Sequence, residues 1–235
     1  MKKILFSCLL VFCITSLQAQ TTLISKQVLP LDSTRPHLGP NGKTFNNSFF
    51  GLHFVVPTEV NDKAPVKIIS SSGFRLGWMQ KYRISNFLSL GYLVDFNTYE
   101  YAYDQTEKKD FPDTLIHKKQ SIGVSSLDGG LYFRFNFDTR RGNFIGHYLD
   151  AGAYAGYHIS RSYSTTDEIE AFDEISRNRI TRLHLIERYQ YGLYGAIGLN
   201  KFTIYGRYRL SDIIEWPYQS AELPRLTVGI GLCIF

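Results

Sequence analysis

The chain has 235 residues, a formal net charge of +5 and 44 % apolar residues. That length suits one domain, and so weak a charge gives no argument for a nucleic-acid partner. Beyond the N-terminal segment no run reaches the roughly 18 consecutive apolar residues of a transmembrane helix.

Residues 1–19 read as a secretory signal. Lys2 and Lys3 form its charged start, Ile4–Ile14 its apolar centre and Leu17-Gln18-Ala19 its cleavage site. Cleavage would remove Cys8 and Cys13, leaving Cys233 alone and no intramolecular disulfide framework. It would also remove two positive charges, lowering +5 to +3. Residues 20–46, with Pro30, Pro36, Pro40 and Gly42, suit an extended periplasmic leader. The barrel domain is expected over 47–235.

Eight strand cores follow, at 50–56, 73–80, 87–97, 127–137, 148–159, 188–199, 202–211 and 225–235. None contains Lys, Glu or Pro. One parity is apolar throughout, as in Phe50/Leu52/Phe54, Leu131/Phe133/Phe135 and Leu226/Val228/Ile230. The other carries sparse charge spaced by Gly, Tyr and Ser. Side chains alternate faces along a strand, so the sheet has one oily side and one side of buried charge. An exported chain of this pattern can cross a membrane as a closed barrel, lipid outside and polar lumen inside. The fold class expected is all-β, an eight-stranded antiparallel up-and-down transmembrane β-barrel.

Long connections (Pro57–Ser71, Thr98–Lys119, Ser160–Arg182, Ser211–Pro224) alternate strictly with short ones (Lys81–Asn86, Asp138–Asn143, Asn200-Lys201). Bacterial barrels put long loops outside and short turns in the periplasm, so both termini are expected on the periplasmic side. In the fourth strand the apolar phase slips near Ser125-Ser126, where a β-bulge would absorb it. Tyr82, Tyr99, Tyr101, Tyr148, Tyr157, Tyr163 and Tyr189 fall near strand ends and are candidates for the two interfacial girdles.

The lumenal parity gathers Arg75, Arg134, Arg188, Arg207 and Arg209 against Asp95, Asp128 and Asp150. Buried charges need partners, so a salt-bridge network filling a narrow barrel is expected. The alternative is an anion-attracting lumen, given the excess of arginine. No catalytic residues are assigned: a lipid hydrolase would need a Ser–His pair, and His147 has neither Ser nor carboxylate obviously beside it. His53 and His158 are lumenal but lack a third metal ligand at diagnostic spacing, so no metal site or cofactor is expected. In the loop 160–182, Thr165 and Glu168 fit a capping box and Ile169, Phe172 and Ile175 recur at helical spacing, predicting a short extracellular helix. Phe172, Trp216 and Tyr218 are the candidate loop contacts.

The segments YRISNFLSLGYLVDF (82–96), YAGYHI (154–159), YGLYGAIGLN (191–200) and FTIYGRYRLSDI (202–213) resemble successive hairpins of PorT-like outer-membrane β-barrel proteins. The likeness spans about 47–235 and rests on structural motifs, so it implies the fold and an outer-membrane location. The family takes its name from a component linked to protein secretion, a role the likeness does not by itself imply. Phe235 is terminal and aromatic, as in such barrels, but one step out of phase with Leu226…Ile234. The expected function is a small outer-membrane structural or protein-interaction module at the cell surface, accessory to secretion. The rival is a narrow channel for small anionic solutes. Expected partners are outer-membrane lipid, the barrel-assembly machinery and a surface or secretion protein.

Overall fold

A computed structural model describes residues 39–57, 64–68, 70–106, 109, 111–138, 144–169, 174–181, 183–215 and 221–234. The predicted signal and most of the leader lie outside these residues. Among the described residues nine strands are present: β1 Thr44–Val56, β2 Ser72–Arg83, β3 Leu88–Ala102, β4 Lys119–Asn136, β5 His147–Ile169, β6 Glu174–Thr181, β7 Tyr189–Leu199, β8 Phe202–Arg209 and β9 Leu226–Ile234.

All neighbours pair antiparallel, and β1 pairs with both β2 and β9 while β4 pairs with β5, which closes an eight-membered ring. β6 is an extra piece. It pairs with β5 over Ser162–Ile169, above the stretch His147–Tyr157 that pairs with β7. The eight predicted strands therefore all form, and the ring is the barrel expected.

The faces follow the alternation. Leu52, Phe54, Leu76, Val94, Phe133 and Ile230 are exposed on the outside, whereas Arg75, Asp95, Arg134 and Asp150 are at most 2 % exposed inside. A continuous exposed apolar belt on a closed barrel is the surface that lipid solvates. Tyr82, Tyr157 and Tyr189 point outward near its margins, as expected of a girdle. Tyr99, Tyr101, Tyr148 and Tyr163 do not. They sit on the inward parity and are buried, because strand alternation overrides their nearness to strand ends.

Two apolar clusters fill the interior. At the short-turn end Phe49, Met79, Leu93, Tyr132, Tyr148 and Tyr205 pack together. At the long-loop end Val55, Ile122, Val124, Ile213, Ile214 and Leu223 do so, drawing on the connections. Glycine makes room for the rings: a Cβ on Gly198 would lie 2.0 Å from the ring of Tyr148.

Two local expectations are corrected. The irregularity does fall at Ser125/Ser126, but the strand that slips is β5, since Ser125 opposes Ser160 and Ser126 opposes His158, leaving Ile159 extra. β4 keeps its phase throughout, and Ile122 and Val124 are inward members of the upper cluster. Where the helix was predicted around Thr165–Ile175, the described residues are strand instead: Thr165–Ile169 close β5 and Glu174–Ile175 open β6. The edge of β4 already templates β5 from Ser160 to Thr166, and ladder hydrogen bonds on both sides outweigh a helix too short to stand alone.

Candidate functional site

The lumenal charges are built from the register of neighbouring strands. Arg134 of β4 stands directly opposite Asp150 of β5. Its Nε and Nη2 donate to Asp150 Oδ1 and Oδ2, both at 2.7 Å, a fork-to-fork pair. The guanidinium carbon sits 3.7 Å above the Tyr148 ring, adding a cation–π contact.

Asp95 and Asp128 oppose each other across β3 and β4. Two adjacent carboxylates would repel unless cations come between them. Arg75 pairs with Asp95 through Nη2. Arg207 reaches over from β8, its Nη2 2.6 Å from Asp128 Oδ2 and its Nη1 3.8 Å from Asp95 Oδ2. Asn97 Nδ2 donates to Asp128 at 2.9 Å, and Gln190 Nε2 donates to both its oxygens at 2.9 and 3.1 Å. Arg207 stacks on Tyr154 at 3.6 Å.

Arg209 is lumenal as expected but pairs upward, not with an aspartate. Its Nη1 lies 2.5 Å from Glu222 Oε1 in the last long connection, and its Nη2 donates to Leu223 O at 2.9 Å. Arg188 is the exception among the predicted network residues. It is exposed, one residue before β7 begins at Tyr189, although its carbonyl still accepts from His158 N of β5. The excess of positive charge expected from five arginines is thereby reduced. Sequence reasoning missed Lys81, which is 1 % exposed near the Phe45 ring, and also Glu222, Asn97 and Gln190.

His53 donates through Nε2 to Thr98 O at 3.0 Å, and its Nδ1 shares a hydrogen bond with Tyr205 OH at 3.2 Å. His158 Nδ1 donates to Glu187 O at 2.6 Å. Both rings are thus held as structural posts. His147 does have a carboxylate beside it, Asp138 Oδ2 at 2.7 Å, and the pair is exposed. Among the described residues no group of three or more His, Cys, Asp or Glu is placed to hold a metal ion. Phe172, Trp216 and Tyr218 lie outside the described residues.

A second cluster stiffens the long β3–β4 connection. Lys109, 3 % exposed, donates to Gln105 Oε1, Asp113 Oδ1, Gln120 Oε1 and Leu115 O. His117 bridges Asp113 and Asp167, at 3.3 and 2.8 Å. Tyr163 of β5 donates to Asp113 and accepts from Gln120 Nε2 at 2.6 Å. Partial burial works to raise the Asp113 carboxyl, but hydrogen bonds from Tyr163, His117 and Lys109 outweigh it and hold the group below its usual range. Leu115 and Ile116, carried on this locked segment, are each 65 % exposed.

No family model and no curated protein matches the sequence. Among solved structures, the chain is similar to Ail, the attachment invasion locus protein of Yersinia pestis, solved in complex with the heparin analogue sucrose octasulfate. The identity is 12 %, the match covers 81 % of this chain and 94 % of that one, and the TM-score is 0.32.

Proposed function

We propose that the chain is an integral outer-membrane barrel serving as a structural or protein-interaction module at the cell surface. The observation that carries this reading is the locked β3–β4 connection: a web of buried polar contacts holds a loop whose tip offers two adjacent apolar side chains, Leu115 and Ile116, to solvent. Holding apolar groups rigidly in water costs stability and favours recognition of a protein partner. The lumen supports the same reading, since Arg75, Arg134, Arg207 and Arg209 are each committed to a carboxylate and do not offer a solvated path to anions. The PorT-like resemblance makes a component of the secretion machinery a candidate partner. Long loops face outward and both termini face the periplasm in this reading.

Tags inserted after Thr114 and, separately, after Asn86 should label on intact cells only at Thr114; labelling only at Asn86 would reverse the barrel. A photo-crosslinker at Leu115 should give a discrete adduct on cells that Ile116→Asp abolishes. Purified protein in planar bilayers should show no unitary conductance. Anion-selective steps altered by Arg207→Ala would replace the interaction reading with that of a channel.

A further inference from the structure

Across β3, β4 and β5 the outer face changes character in a single step. Phe96, Leu127 and Tyr157 form one outward row across β3, β4 and β5, and all three are apolar or aromatic. The next row toward the long-loop end is Thr98, Ser125 and Ser160. Above it Ser121 opposes Ser164, and Gly123 opposes Ser162. This hydroxyl-lined face forms one side of a groove of about 1220 Å³, whose lower lip is Leu52 and Phe74 of the apolar belt.

Cations crown the groove. Arg177 and Arg179 of β6 stand opposite Thr166 and Ser164, and Lys119 also opposes Thr166 from β4. All three are exposed. Lys67 and Lys118 line the groove too, but Asp104 and Glu168 neutralise them. Among the described residues no carboxylate lies within ion-pair distance of Lys119, Arg177 or Arg179. Among the described residues Glu100 is the one acidic side chain lining the groove, against those three cations.

We infer that this groove binds the phosphorylated sugar headgroup of a lipid whose acyl chains lie against Leu52 and Phe74. The charge calls for an anion, and arginine forks suit phosphate oxygens. The serine and threonine hydroxyls suit sugar hydroxyls. The volume exceeds what one phosphate fills and lies above that of an ordinary small-molecule pocket, which leaves room for a sugar headgroup. The belt directly below supplies lipid, so the headgroup is presented to the groove by the same leaflet that solvates the barrel. This rests on the chain spanning a membrane, not on its having a protein partner.

The full-length protein is reconstituted in phosphatidylcholine nanodiscs doped with a bisphosphorylated glucosamine-disaccharide lipid, and lipid retention is read by native mass spectrometry after detergent transfer. Parallel arms use the dephosphorylated disaccharide lipid, phosphatidylglycerol, and inorganic phosphate as competitor. The parent should retain the bisphosphorylated lipid selectively. A cation beside an anionic headgroup is worth about fivefold in affinity, so Lys119→Gln/Arg177→Gln/Arg179→Gln should weaken retention by at least roughly tenfold. Heat-modifiable gel mobility should remain that of the folded barrel, and Arg177→Lys/Arg179→Lys should keep most of the binding. Equal retention by the triple variant or of the dephosphorylated lipid would overturn the inference. So would equal retention of phosphatidylglycerol, or displacement by millimolar phosphate.

Discussion

The Arg134–Asp150 pair is the sharpest place to test whether the lumenal charges hold the barrel together. In Asp150→Ala, Arg134 loses two charge-assisted hydrogen bonds of 2.7 Å while staying 1 % exposed. Stranding one member of a buried pair costs about 3–5 kcal/mol. The guanidinium keeps its face on Tyr148 at 3.7 Å, a contact worth about 1–2 kcal/mol when desolvated, which places the loss near the lower end. About 3 kcal/mol is roughly a hundredfold in the folding equilibrium. Urea titration in detergent micelles, read by heat-modifiable gel mobility, measures it. Arg134→Met/Asp150→Leu removes both charges and should recover most of the loss, since apolar replacement of a whole buried pair is often neutral. If Asp150→Ala unfolds within about 0.5 kcal/mol of the parent, or the double variant is no better than the single, Arg134 is not confined to a dry lumen. The stabilising role of the network would then be wrong.

Three other perturbations address other layers of the molecule. Leu131→Arg places a charge on an outward side chain 67 % exposed and should cost about 2–4 kcal/mol in vesicle insertion assays if that face meets lipid; an effect below about 0.5 kcal/mol would reverse the faces of β4. Gly198→Val sets a side chain where a Cβ already falls 2.0 Å from the Tyr148 ring, so about 1–3 kcal/mol of overpacking should appear as a lower urea midpoint. For Asp113 the folded carboxyl lies below its ordinary value of 3.8, so its contribution to the crown is complete above that value and is lost as pH falls through the depressed one. Hydrogen exchange at Gln120 and Tyr163, corrected for intrinsic pH dependence, should therefore speed up on acidification below about pH 4, and Asp113→Asn should remove that step.

The ring of eight was readable because each predicted strand core repeats one alternation along its length: Phe50, Leu52 and Phe54 all face outward, and a single polar intruder would have broken the phase. The lumenal residues were readable for the same reason, since Arg134 and Asp150 fall on the opposite parity. Their pairing was not, because Arg207 reaches Asp128 across the lumen from β8 to β4, and only the closed ring brings those strands face to face. Lys81 continues the inward parity of Arg75, Gly77 and Met79, and a second strand ended at Gln80 leaves it out. Glu222 sits in a connection with no period to betray it. Ile169, Phe172 and Ile175 do have helical spacing, but local spacing says nothing about the β4 edge that takes hold of this segment.

The extra residue Ile159 ties the inner and outer surfaces of the crown together. Below it the even positions of β5, among them Asp150, Tyr154 and His158, face the lumen. Above it Arg161, Tyr163 and Thr165 turn inward instead, opposite Val124, Ile122 and Gln120. A one-residue slip exchanges every side chain between the faces of a strand. Tyr163 thereby reaches Asp113 and Gln120 in the lock on the long connection, while Ser162, Ser164 and Thr166 face out beneath Arg179 and Arg177. With β5 in unbroken phase, Tyr163 would stand in the groove and the serines would be buried against the apolar cluster of Ile122 and Val124. A single bulge at the edge of the apolar belt thus decides that the same strand locks a loop on its inside and lines a polar, cationic surface on its outside.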